Sequence, residues 1–216
     1  MDWTAVIPVK RLDAAKSRLR GAVPPARHAD LALAMVLDTV TGVLATAAVA
    51  ELIVVTDDAR AAAAVTEVGA RVVPDRPAGD LNAAMRHGAD EVAGLSGFRA
   101  VLAGDLPALR PDQLGEALAQ APARAGQRAF VADAAGTGTV LLTAPPGVEL
   151  DPRFGPGSAQ AHALSGAVPL TGAWPGLRQD VDTPADLATV LSLGAGEHTC
   201  ALLRDAGLIV ACVSAA

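Results

Sequence analysis

Apolar residues come in short blocks separated by polar punctuation, and the blocks alternate between two periods. Thr4-Ala5-Val6-Ile7-Pro8-Val9 is an apolar run rich in β-branched residues and predicts a first strand. A basic loop follows. Pro24-Pro25 then opens a helix to about Thr46, in which Leu33, Leu37, Val40 and Leu44 recur at helical spacing. Glu51 to Val55 predicts a second buried strand, ending at Thr56-Asp57-Asp58. An Ala-rich helix continues to about Val68, and Arg71-Val72-Val73 makes a short third strand. Leu81 to Ala93 reads as a helix, and Ala100 to Ala103 as a strand that ends at Gly104-Asp105-Leu106-Pro107. Strands that are apolar throughout and alternate with helices indicate a parallel sheet covered on both faces.

The second half changes character. Ala129 to Ala132 and Thr139 to Thr143 predict two strands separated by Gly136-Thr137-Gly138, followed by a Pro/Gly-rich segment from Ala144 to Gly157 and a short helix from Ser158. Arg178 to Thr183 precedes a last clear helix that starts near Pro184. There is no internal repeat and no long linker, so one domain is expected over residues 1–193, with 194–216 as an apolar extension.

Composition narrows the class. The 216 residues are 51% apolar, yet no uninterrupted run approaches the ~20 needed to span a bilayer. Met1-Asp2-Trp3-Thr4 lacks a positive region, so neither a signal peptide nor a membrane role is expected and the cytoplasm is the predicted location. Cys200 and Cys212 have no metal-ligand spacing and read as small core thiols of a reducing compartment. A net charge of −6, 2% aromatic residues and no Tyr argue against a nucleic-acid partner. Lys10, Arg11, Lys16, Arg18 and Arg20 nevertheless crowd into one short loop. In an acidic protein that pattern fits one small anion, although a solvated charged loop explains it equally well.

In an open parallel sheet, ligands bind beyond the carboxyl ends of the strands. The basic loop, Thr56-Asp57-Asp58, Asp75 to Asn82 and Gly104-Asp105 all fall there. Neither a dinucleotide fingerprint nor GxxxxGK[ST] follows the first two strands, which disfavours a Rossmann dehydrogenase and a P-loop enzyme. Asp105 directly follows an apolar strand and reads as functional. Asp180 and Asp182 are two apart, so in an extended segment they point the same way. Convergence on Asp105 would make an all-oxygen site suited to Mg²⁺. Taken alone, Asp182 before Thr183-Pro184 reads better as a helix cap. Phe154-Gly155-Pro156-Gly157-Ser158 opens a helix whose backbone N–H groups and Ser hydroxyl suit a phosphate or carboxylate, but a Gly/Pro turn with a Ser cap is the plainer reading.

The ordered set resembles the guanylyltransferases of coenzyme F-420 biosynthesis, relatives of the molybdenum-cofactor guanylyltransferases and sugar-nucleotide pyrophosphorylases. It comprises Ile7-Pro8-Val9-Lys10 with Ala15-Lys16-Ser17-Arg18-Leu19, Val54-Val55-Thr56-Asp57, Leu81-Asn82-Ala83-Ala84 and Gly104-Asp105-Leu106-Pro107-Ala108-Leu109. Gly138-Thr139, Phe154-Gly155-Pro156-Gly157-Ser158-Ala159 and Asp180-Val181-Asp182-Thr183-Pro184 complete it. The resemblance implies a single-domain α/β fold of the GT-A-like, nucleotide-diphospho-sugar transferase type, three-layered with a mostly parallel sheet. It implies Lys10, Lys16 and Arg18 as the triphosphate loop, Asp57, Leu81 and Asn82 at the nucleoside, and Asp105, Asp180 and Asp182 as Mg²⁺ ligands. Thr139, Gly155 and Ser158 would receive a phosphoenolpyruvate-like acid, and Lys16, Arg18 and Asp105 would carry the chemistry. One departure is Asp80, which stands where many relatives have Gly and bears on guanine selectivity.

The implied reaction joins GMP from GTP to a small phosphorylated carboxylic acid and expels pyrophosphate. The attacking phosphate is already an anion, so no general base is required, consistent with His28, His87, His162 and His198 lying outside every motif. The acid is phosphoenolpyruvate, 2-phospho-L-lactate or 3-phosphoglycerate, and hand-over to a downstream deazaflavin transferase is expected, with a homodimer allowed. Two other readings stand beside it: a guanylyl- or cytidylyltransferase for a pterin or sugar phosphate, and a non-catalytic nucleotide-binding protein. Having only Gly21 in the first loop argues against the sugar-nucleotide branch.

Overall fold

Strand β1 (Trp3–Pro8) is apolar on both faces because both faces are covered. In a computed structural model that describes residues 1–13, 19, 22–76, 80–121, 126–210 and 212, β1 pairs in parallel with β2 (Val49–Val55) on one side and β4 (Phe98–Leu102) on the other. Successive side chains go to opposite layers. Trp3, Ala5 and Ile7, with Leu52, Val54, Ala100 and Leu102, enter one core cluster. Val6, with Ile53, Val55 and Val101, enters the other. Burial on both faces leaves no polar alternation to see, as the sequence pattern indicates.

β3 (Arg71–Val73), β5 (Ala129–Ala132), β6 (Thr139–Ala144) and β7 (Val168–Pro169) complete a seven-stranded sheet ordered β3-β2-β1-β4-β6-β5-β7. Only β6 runs against the rest, pairing antiparallel with β4 and β5. The expected three-layer, mostly parallel sheet is therefore present, and β7 is a strand the sequence pattern did not signal.

The first layer carries α1 (His28–Leu44), α2 (Ala59–Glu67) and α4 (Pro111–Gln120). The second carries α3 (Leu81–Arg86) and α5 (Ser158–Leu164). The single helix expected over Leu81–Ala93 is α3 continued by a wider π-helical turn at His87–Val92. Gly88 lies there so close to the sheet that a Cβ would stand 2.6 Å from Val6 and 2.8 Å from Val55, so only Gly permits the approach. Among the described residues, no helix is long and apolar enough to cross a membrane.

The remaining helices are α6 (Pro175–Arg178), α7 (Pro184–Leu193) and α8 (Glu197–Asp205). Residues past 194, set apart as an extension by their composition, supply α8, and Leu203 of α8 shares a cluster with Leu31 and Met35 of α1. Asp38 of α1 accepts from the His198 and Thr199 amides, both at 2.9 Å, and so closes the helix start of α8. The two cysteines are not separate thiols as expected. Leu208 bonds back to Leu203, turning the chain beside α8, and Cys212 is joined to Cys200 in a disulfide with Cα atoms 6.0 Å apart.

Candidate active site

The carboxyl ends of β1 and β4 open onto two adjoining hollows of about 310 and 590 Å³. Both are lined by Leu81, Asp105, Phe154 and Asp182. The smaller adds Lys10 and apolar side chains of α1; the larger adds Asp180, Thr139, Ser158 and the Gly155–Gly157 turn.

Each wall has a local cause. Asp105 follows β4 in a turn that α1 holds: Thr39 accepts from the Leu106 amide at 2.9 Å and donates to the Met35 carbonyl at 2.8 Å. Asp180 and Asp182 flank Val181, which is buried in the cluster with Leu187 and Val190, so the two carboxylates turn the other way and line the larger hollow. Arg178 fixes that segment by donating to the carbonyls of Ala132 (3.1 Å) and Asp133 (2.7 Å) at the end of β5. Thr183, not Asp182, caps α7, in a capping box with Asp186. The structural role weighed for Asp182 thus belongs to its neighbour.

The turn before α5 is held from two sides. Asn82 donates through Nδ2 to the Phe154 carbonyl (3.0 Å) and accepts from the Phe154 amide at Oδ1 (2.7 Å). His162 accepts the Arg153 amide at Nε2, 2.9 Å away. Gly155 (φ 134°) and Gly157 (φ 74°) then take backbone angles that side chains resist. The amides of Ser158 and Ala159 are bonded to the carbonyls of Gly155 and Thr137, so the helix start does not offer those two N–H groups to an anion; nor does a Ser side chain cap it, since Gly157 takes the cap position with no side-chain bond.

Residues 3–165 match the family described as guanylyl transferase CofC like. The chain is 58% identical over 204 residues to a phosphoenolpyruvate guanylyltransferase of Salinispora arenicola, covering 94% of each. It is 54% identical over 209 residues to one of Geodermatophilus obscurus, covering 94% of this chain and 95% of that one. This chain belongs to the CofC-like guanylyl transferase family. Its fold is that of nucleotide-diphospho-sugar transferases. A Methanothermobacter nucleotidyl transferase aligns over 94% of this chain and 98% of its own at TM-score 0.64 and 21% identity. A Desulfovibrio desulfuricans protein, provisionally assigned as a nucleotide-diphospho-sugar transferase, aligns over 94% of each chain at TM-score 0.68 and 19% identity.

In this CofC-like chain the sequence-predicted residues separate into three groups. Asp105, Asp180, Asp182, Thr139, Gly155 and Ser158 line one hollow, and Lys10 and Leu81 extend the site to the adjoining one. Lys16 and Arg18 lie outside the described residues. Asp57 and Asn82 line neither hollow and act through backbone: Asp57 accepts from the Asp75 amide at 3.1 Å, and Asn82 clamps Phe154. Asp80, the departure from the family pattern, caps α3 by accepting from the Asn82 (2.9 Å) and Ala83 (3.0 Å) amides. The three aspartates share a hollow, but among the described residues no three His, Cys, Asp or Glu side chains are gathered closely enough to hold a metal ion.

Sequence reasoning named Asp75 only within the segment beyond the third strand, gave it no role, and passed over Arg178 and His162. Asp75 is buried, receives Lys10 at 3.1 Å on Oδ2, and keeps Oδ1 buried with no hydrogen-bond partner. Arg178 and His162 sit outside every motif, and only their contacts mark them. A buried acid beyond the third strand was the one available signal.

Proposed function

We propose that this protein joins GMP from GTP to phosphoenolpyruvate with release of pyrophosphate, in the formation of coenzyme F-420. The observation that carries the reading is the pair of adjoining hollows that share Asp105 and Asp182 in a chain 58% identical to a phosphoenolpyruvate guanylyltransferase. The smaller hollow would take the nucleotide and the larger the acid, so that both phosphates meet at the carboxylates.

A phosphate oxygen of the acid attacks the α-phosphorus of GTP, and the bond to the β-phosphate oxygen breaks as pyrophosphate leaves. Lys10, with Lys16 and Arg18, offsets the charge accumulating on the departing group. Asp105, Asp180 and Asp182 would hold Mg²⁺; their all-oxygen character suits this ion, which commonly rests on one or two carboxylates and takes the rest of its shell from water and substrate phosphates. When bound, the ion supplies charge neutralisation between two polyanions. Thr139 and Ser158, both buried in the wall of the larger hollow, would bind the acid.

The test is to incubate the purified protein with Mg²⁺, each common nucleoside triphosphate and each of phosphoenolpyruvate, 2-phospho-L-lactate and 3-phosphoglycerate, reading products by mass. The downstream deazaflavin transferase and its acceptor are included to capture a short-lived product. Pyrophosphate release and an acid–GMP adduct only with GTP and phosphoenolpyruvate are expected. Preference for another triphosphate or another acid would overturn the assignment.

A further inference from the structure

His162 is fully buried, although the reaction has no use for a base. Its two ring nitrogens are both engaged: Nε2 accepts from the Arg153 backbone amide at 2.9 Å, and Nδ1 lies 2.9 Å from Oγ1 of Thr139. A backbone N–H can only donate, so Nε2 carries no proton. The neutral ring therefore bears its proton on Nδ1 and donates to Thr139. Phe154 packs on the imidazole edge-on at 5.1 Å, and burial, with the charge of Arg128 adding to it, pushes the imidazole pKa down to about 4, which keeps the ring neutral at ordinary pH.

We infer that His162 is a positioning residue for the acid: by filling one lone pair of the Thr139 hydroxyl, it turns that hydroxyl's proton into the larger hollow as a donor. The inference rests on the assignment of that hollow to the acid. Thr139 offers one proton and two lone pairs, and without the imidazole the proton is free to turn toward any nearby acceptor. With Nδ1–H in place, the hydroxyl meets a carboxylate or phosphate oxygen already oriented, at no cost in reorganisation. The same ring holds Arg153, so one side chain sets both the hydroxyl and the turn that form this wall.

Asn and Gln separate the two duties, because an Asn amide nitrogen can stand near the Nδ1 position and a Gln amide oxygen near Nε2. His162→Gln should keep the Arg153 contact and lose the donor to Thr139, raising the KM for phosphoenolpyruvate about tenfold while the KM for GTP stays unchanged. His162→Asn should restore the acid KM to near the parent value. Thr139→Val should match His162→Gln, and the double variant should be no worse than Thr139→Val alone, as expected for residues acting through one bond. An unchanged acid KM in His162→Gln beside a raised one in Thr139→Val would overturn the inference and leave the acid site standing. An unchanged acid KM in Thr139→Val would instead remove the acid site itself. Equal losses in the Asn and Gln variants would reduce His162 to a structural role. Should the Gln variant fail to fold, long-range ¹H–¹⁵N correlation of the imidazoles in the intact protein reads the tautomer directly. An Nδ1–H form at His162 is expected, and an Nε2–H form would sink the inference.

Discussion

Two pairs of opposite charge sit at opposite ends of the sheet and do different work. At the amino end of β4, Arg99 is fully buried and bonds Asp90 at 2.7 Å, the Pro145 carbonyl at 2.9 Å and the Val148 carbonyl. Asp90 in turn accepts the Leu150 amide, and burial pushes its carboxyl pKa up despite these partners. At the carboxyl ends, Lys10 meets Asp75 at 3.1 Å with its side chain 36% exposed, and the second oxygen of Asp75 is buried with no hydrogen-bond partner. The first pair is satisfied inside the protein and fastens β4 to the 145–150 segment. The second leaves one carboxylate oxygen buried without a hydrogen-bond partner, and only its lysine lines a hollow.

Removing the guanidinium should give the largest effect. Arg99→Met leaves a buried carboxylate unpaired and is expected to cost about 3–5 kcal/mol of stability, read as a lower urea midpoint, while the folded fraction keeps its KM for GTP. A change of KM without loss of stability would break the contrast. Asp105→Asn is expected to do the reverse: guanylyl transfer falls by at least about a hundredfold, roughly 3 kcal/mol in the transition state, with Tm unchanged. Near-normal turnover in a folded variant would remove Asp105 from the site.

His162 supplies a prediction in pH. Its folded imidazole, with a pKa of about 4, binds a proton less tightly than the unfolded one at 6.5. Stability is therefore complete above about pH 6.5 and declines as pH falls toward 4, by up to about 3 kcal/mol. In His162→Asn that decline should flatten; an identical pH profile would assign it to other groups. Lys10→Met should raise the KM for GTP about tenfold and lower stability much less than Arg99→Met, since Lys10 is partly solvated. The smallest effect is expected for Thr183→Ala, which loses the capping box of α7 for about 1 kcal/mol and leaves both KM values in place.

The central strands were legible because burial on both faces writes itself as unbroken apolar runs, and Val6, Ile53 and Val101 could not be apolar for any other local reason. Asp105 was legible because it stands where such a strand stops, and Asp180 and Asp182 because they lie two apart just ahead of a helix. β7, two residues long, has no period to detect, and α8 gives few cues because Asp38, 160 positions away from His198, closes its start. The joining of Cys200 to Cys212 escaped for a related reason: spacing does not show a chain turning back on its helix.

What the sequence determined by itself was the layered α/β plan and the order of motifs along it, since hydrophobic period and turn chemistry act over a few residues. What only the tertiary structure decided was which side chains serve ligands and which serve the backbone. Asn82 and Asp57 stand in motifs yet bond to main chain, Asp80 closes a helix, and Thr183 relieves Asp182 of capping. His162 stands in no motif and reaches Thr139, 23 positions away. A hydrogen bond depends on distance in space, and the packing of α5 across the sheet sets that distance.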